Sequence, residues 1–87
     1  MTRSIFTRRY ELLRRLIVEA RKDARLTQVE LAKKLGKPQS FVSKYEIGER
    51  RLDVIEFVDV TTAIGVSPQR LLVQLQNNSR REEQHRR

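Results

Sequence analysis

Residues 28–48 read QVELAKKLGKPQSFVSKYEIG, and this stretch divides into two short helices joined by a tight turn. Leu31, Ala32 and Leu35 recur at helical spacing, with Lys33 and Lys34 on the opposite side. Thr27 just upstream, with Glu30 three residues on, has the form of a capping box that opens the first helix. Gly36 tolerates the positive φ that a helix C-cap asks for. Pro38 has no N–H and cannot extend the first helix, but it is accepted in the first turn of a second. Val42 and Tyr45, three apart, predict a face turned back toward the first helix, and Gly48 is expected to end the second. Gln39, Ser40, Ser43 and Lys44 point the other way. They are neutral or cationic, with no acid among them, and suit hydrogen bonds to base edges or phosphates.

Composition sets the frame for this pair. Eighty-seven residues make one small domain, with no room for a second core. Nineteen Lys and Arg against 11 Asp and Glu leave a net charge of +8, a field that favours a polyanionic partner. Charge alone is equally compatible with a merely solubilised helical domain. There is no cysteine, so neither a disulfide framework nor a thiolate metal site is expected. No apolar run approaches the roughly 18 residues of a membrane span. The segment MTRSIFTRRYELL lacks the apolar core of a signal peptide, so the expected location is the cytoplasm.

Outward from the pair, Thr7 to Ala24 reads as a first helix, with Leu13, Leu16, Ile17, Ala20 and Ala24 on one stripe. Arg8, Arg9, Arg14, Arg15, Arg21 and Lys22 occupy its other faces, and Glu11 with Arg15 makes an i,i+4 pair in the favourable order. A basic run of this kind is more often a solvated face than a direct DNA contact. Met1 to Phe6 is expected to be a loosely ordered arm. Asp53 caps a fourth helix with Glu56 as a second capping box; Val54, Phe57, Val58, Thr61 and Ile64 are its expected buried stripe, and Gly65 its stop. Ser67 and Pro68 start a fifth helix carrying Leu71, Leu72, Val73 and Leu75, more apolar residues than one core-facing stripe needs. One side of this helix is expected to pack on the domain and the other to be exposed as a homodimer surface, assigned to Leu71, Leu72 and Leu75; the alternative is that all four are buried under the first helix. The domain is placed at 1–76. Residues 77–87, NNSRREEQHRR, are read as a polar, flexible tail or a frayed helical extension, in which His85 is an ordinary exposed residue. The fold class is an all-α compact bundle of about five short helices.

The central stretch resembles the helix-turn-helix of the lambda-repressor-like family, which includes Cro, phage repressors and XRE-type regulators. Gln28, Leu31, Ala32, Leu35, Gly36, Val42 and Tyr45 fall at that family's positions, and Glu46 with Gly48 matches its Glu-x-Gly ending. The likeness runs from about Leu16 to Leu75. Lys37, Pro38 and Ile47 depart from the usual residues without breaking the pattern. A plain αα-hairpin would account for the Ala-x3-Gly spacing but not for the joint pattern. The resemblance implies a recognition helix over residues 38–46 that enters the DNA major groove. It implies that Gln28 contacts a phosphate at the N-terminus of the preceding helix, where spare N–H groups favour an anion. It also places the loop after the recognition helix along the DNA backbone, making Arg50 and Arg51 phosphate candidates. Lys37, at the turn, is a further phosphate candidate, although the family usually has a small apolar residue there. Glu49 has the wrong charge for that role and is expected to orient an arginine.

Catalytic chemistry has little support. The chain has no Gly-rich phosphate loop, no paired His or Cys ligands, and its one His lies in the tail. No enzyme, metal or cofactor is therefore expected. The expected function is a sequence-specific, double-stranded-DNA-binding transcriptional regulator, a dimeric repressor reading bases with Gln39, Ser40, Ser43 and Lys44. A restriction–modification controller is one form of it. The rival expectations are a DNA-binding antitoxin that grips a toxin or other protein, and a coactivator-like adaptor or RNA binder on the same fold.

Overall fold

The computed structural model describes the backbone of residues 7–85 and the side chains of residues 7–78. Among these, five helices follow one another: α1 Arg8–Asp23, α2 Gln28–Leu35, α3 Gln39–Glu46, α4 Val54–Ile64 and α5 Pro68–His85. The architecture is an all-α bundle with a helix-turn-helix at α2–α3. The expected arm at Met1–Phe6 lies outside the described residues, as do the side chains of the segment from Ser79 on. The backbone of α5 runs on through residue 77 to His85 as helix.

Local chemistry explains where the helices begin. Thr7 Oγ1 accepts from the Tyr10 N–H at 3.1 Å and opens α1. The Thr27–Glu30 and Asp53–Glu56 capping boxes are both complete, each satisfying two N–H groups that the first helical turn leaves without partners. Pro38 is the N-cap of α3 and supplies no side-chain bond. The helix ends share one device. After α2, Lys37 N–H bonds Ala32 O at 3.0 Å while Gly36 takes φ 69°, a left-handed conformation that costs glycine nothing sterically. After α1 the same closure, Leu26 N–H to Arg21 O at 3.2 Å, is turned by Arg25 at φ 61°.

The core is formed by Ile17, Leu31, Ala32, Val42, Tyr45, Phe57, Val60, Ile64 and Leu71, with Leu13, Leu16, Ala20, Leu35, Phe41 and Leu52 packed against it. α2 packs on α3 and α4, and α1 lies along α5 and against α3. Three sequence expectations change here. The buried stripe of α4 is Phe57, Val60, Thr61 and Ile64; Val54 is 74% exposed and Val58 is also exposed. The run VIEFVDV offers more than one apolar stripe, and docking on α2, α1 and α5 selects the one containing Val60. Ala24 is the exposed C-cap of α1, so the stripe ends at Ala20. Glu11 pairs with Arg14, through Arg14 Nε to Oε1 at 3.1 Å and Arg14 Nη2 to Oε2, and Arg15 is exposed. The Arg14 hydrogen bonds hold the Glu11 carboxyl below the usual carboxylate range.

On α5, Leu71 is buried in the core and Leu75 is half-buried, while Leu72 and Val73 are exposed. One side of the helix packs on the domain and the other is exposed, as expected, and burial of all four does not hold; what changes is Leu71, which is spent on the domain while Leu72 and Val73 lie outside. Leu71 therefore drops out of any surface that α5 offers a partner.

Candidate nucleic-acid interface

α3 is held from one side. Val42 and Tyr45 are fully buried beneath it, and Tyr45 meets Phe41 edge-on with ring centroids 5.6 Å apart. Its C-terminal end is gripped by two arginines of α1. Arg21 forms a bidentate ion pair with Glu46, Nε to Oε2 at 2.7 Å and Nη2 to Oε1 at 3.0 Å, and its Nη1 donates to Leu26 O at 2.7 Å. Arg14 Nη1 donates to the Glu46 carbonyl oxygen. A cation at a helix C-terminus also meets the negative end of the helix dipole. Arg21 and Glu46 are both buried, and hydrogen bonding to Glu46 raises the Arg21 guanidinium above its already high value. Burial likewise pushes the Tyr45 phenol upward; its hydroxyl has no partner among the described residues.

The buried pair reaches the surface through two glutamines. Gln28 Nε2 donates to Glu46 Oε1 at 2.9 Å, and Gln39 Nε2 donates to Gln28 Oε1 at 3.3 Å. The first residue of α3 is thus tied, through the first residue of α2, to a charge fixed in the core. Gln39, Ser40 and Lys44 are exposed on the outer face, and Ser43 is half-buried at its edge. No acid stands on that outer face.

The cationic candidates flank this face. Lys37 Nζ lies 5.1 Å, and the Arg50 guanidinium 4.9 Å, from the centre of the Phe41 ring. Arg50 also pairs with Glu56, Nη1 to Oε1 at 3.3 Å and Nη2 to Oε2 at 3.0 Å. Glu56 carries a double task, because its Oε1 also accepts the Asp53 N–H at 2.9 Å. These two sets of bonds, the backbone one first, hold its carboxyl below the usual range. The acid that orients an arginine in this loop is therefore Glu56 and not Glu49, because the α4 cap faces the loop while Glu49 is exposed. Arg51 lies farther round, stacked 4.5 Å above the Tyr10 ring and 3.4 Å from Thr7 Oγ1.

The structure thus joins Gln28 to Gln39 and gathers Lys37 with Arg50, while Arg51 sits beside the start of α1. Sequence reasoning did not find the roles of Arg14, Arg21, Glu46 and Phe41. A signal existed for two of them. Arg21 follows Ile17 by four, and Glu46 follows Val42 by four, so opposite charges stand on two inward stripes. Unpaired, each would be costly to bury, so the two predict one another.

An eight-residue helix locked from beneath, acid-free on its outer face and preceded by a second short helix across a glycine turn defines a helix-turn-helix DNA-binding domain. The helix-turn-helix family model HTH_3 matches residues 17–71. The solved structure of an XRE-family like protein from Pseudomonas syringae pv. tomato str. DC3000 is 56% identical, covering 79% of this chain and 84% of that one with a TM-score of 0.77. No curated protein matches. The chain belongs to the XRE-type helix-turn-helix family, whose members are DNA-binding transcription regulators.

Proposed function

We infer that this protein is a sequence-specific, dimeric transcriptional repressor that reads double-stranded DNA with α3 in the major groove. The observation that carries this reading is the tie from Gln39 through Gln28 to the buried Glu46. It fixes a bidentate amide at the leading end of an acid-free helix face, as reading adenine N6 and N7 requires. Lys44 addresses guanine O6 and N7, and Ser40 a base or phosphate; Ser43 is the weaker candidate at the edge. Gln28, Lys37, Arg50 and Arg51 take phosphates. Arg50 leaves part of its pairing with Glu56 to do so. The domain extends over residues 1–76, with 77–87 as an appendage, and the expected location is the cytoplasm. No helix among the described residues is long and apolar enough to cross a membrane.

The test is selection from a random duplex library at about 0.15 M salt. Enrichment of a palindrome with half-sites about one helical turn apart is the expected result. Gln39→Ala should cost about 1–3 kcal/mol on the enriched site and relax preference at one base position. Equal losses on the enriched and on random duplexes would remove Gln39 from the base readers.

The exposed Leu72 and Val73 on α5 bear on what the domain pairs with. In the repressor reading they face a second copy, and Leu72→Glu is expected to turn a dimer into a folded monomer in sedimentation. An undiminished dimer would move the interface elsewhere. A wild-type monomer that enriches no sequence and co-purifies with a second small chain would favour the antitoxin or adaptor reading instead.

A further inference from the structure

Phe41 stands on α3 between the outward and inward faces, half-buried, with its ring fixed against Tyr45. It gathers cations from both ends of the helix: Lys37 comes from the turn before α3, and Arg50 from the loop after it. The face of an aromatic ring is the negative part of its quadrupole and attracts cations. Two like charges brought to one ring repel each other, and Glu56, 3.0 Å from Arg50, offsets that repulsion. Lys37, Phe41 and Glu56 line a single groove with Leu35 and Asp59.

A flexible cation loses rotamer freedom when it grips a phosphate, and Lys and Arg have the most to lose. A ring that already holds the side chain near its contact lowers that cost. The geometry points to Phe41 as a positioning residue for the DNA backbone: its ring gathers Lys37 and Arg50 at one edge of the recognition helix and presets both to take phosphates there. This rests on the DNA-reading function proposed above and adds to it a residue that touches neither base nor phosphate.

The experiment is fluorescence anisotropy of a labelled random-sequence duplex, titrated across salt concentrations. Random sequence isolates the backbone component of binding, which sets the salt slope at about 0.9 per phosphate contact. Phe41→Leu keeps apolar contact with Tyr45 and removes the ring face. It should bind about three- to tenfold more weakly at ~0.1 M salt, with the slope lower by about one contact. Phe41→Tyr restores a ring and should restore both. In a Lys37→Ala, Arg50→Ala background, Phe41→Leu should change nothing further. Circular dichroism fixes the folded fraction of each variant, and Phe41→Met, equally apolar and ringless, replaces Phe41→Leu if that variant does not fold. An unchanged slope in the ringless variant, or an equal loss in the doubly substituted background, makes Phe41 a packing residue only and overturns the inference. Wild-type protein without salt-dependent duplex binding would overturn the proposed function itself, a different result from wild-type binding that ignores Phe41.

Discussion

Glu46→Ala is expected to destabilise the domain by about 3–5 kcal/mol, because it strands the buried Arg21 guanidinium without its carboxylate. A domain of this size holds only a modest reserve, of the order of 5 kcal/mol, so the variant should lie near the edge of unfolding in water. Urea denaturation followed by circular dichroism measures it. A loss below about 1 kcal/mol would mean that Arg21 finds water as readily as it finds Glu46. The paired replacement Arg21→Met with Glu46→Met should recover most of the loss, since apolar residues of similar volume often replace a buried ion pair at little cost. Recovery of stability need not recover recognition. Gln28 loses its anchor in the double variant, and Gln39 with it, so base discrimination should stay relaxed even when the fold is regained. Melting and sequence selection on that one protein separate what the pair does for the fold from what it does for reading DNA.

Leu31→Ala should cost about 2–5 kcal/mol, the cost of a cavity at a fully buried site where α2 meets α3 and α4. For a domain this small, each kcal/mol corresponds to about 4–8 °C in Tm. The neighbouring Val29 is 46% exposed, and Val29→Ala supplies the contrast within the same helix, with an expected change inside about 0.5 kcal/mol. Differential scanning calorimetry on both variants decides. Similar small shifts at the two positions would mean that the α2–α3 joint is loosely packed and that α3 is steered by Arg14 and Arg21 alone.

The caps and the glycine turn were legible because they are local chemistry. Thr27 with Glu30, Asp53 with Glu56, and Gly36 each act within a few residues, and the α2–α3 pair follows from them. The face of α4 was not legible to the same degree. VIEFVDV is apolar nearly all round at its start, and only the neighbours choose Val60 over Val54 and Val58. Arg25 gives no warning of its φ of 61°; the left-handed conformation is imposed by the closure of α1, where no glycine was available. Arg50 and Glu56 are six apart across a loop, beyond any helical spacing rule, so the sequence offers only the adjacent Glu49 as the loop's acidic partner. The outward position of Gln39, Ser40 and Lys44 follows from helical period alone, whereas their contact roles rest on the proposals above.

α3 divides its work by side. Val42, Tyr45 and Glu46 answer to the interior, and Gln39, Ser40 and Lys44 to whatever lies outside. Substitutions on the outer side are therefore nearly silent for folding, and on the proposed function a lineage can drift from one operator to another without passing through an unfolded ancestor. Gln39 is the exception, since it is bonded to Gln28. The same division makes the outer positions exchangeable in the laboratory: a different set of residues at 40 and 44, set on the unchanged inner side, should redirect the domain to new sites while its melting curve stays where it was.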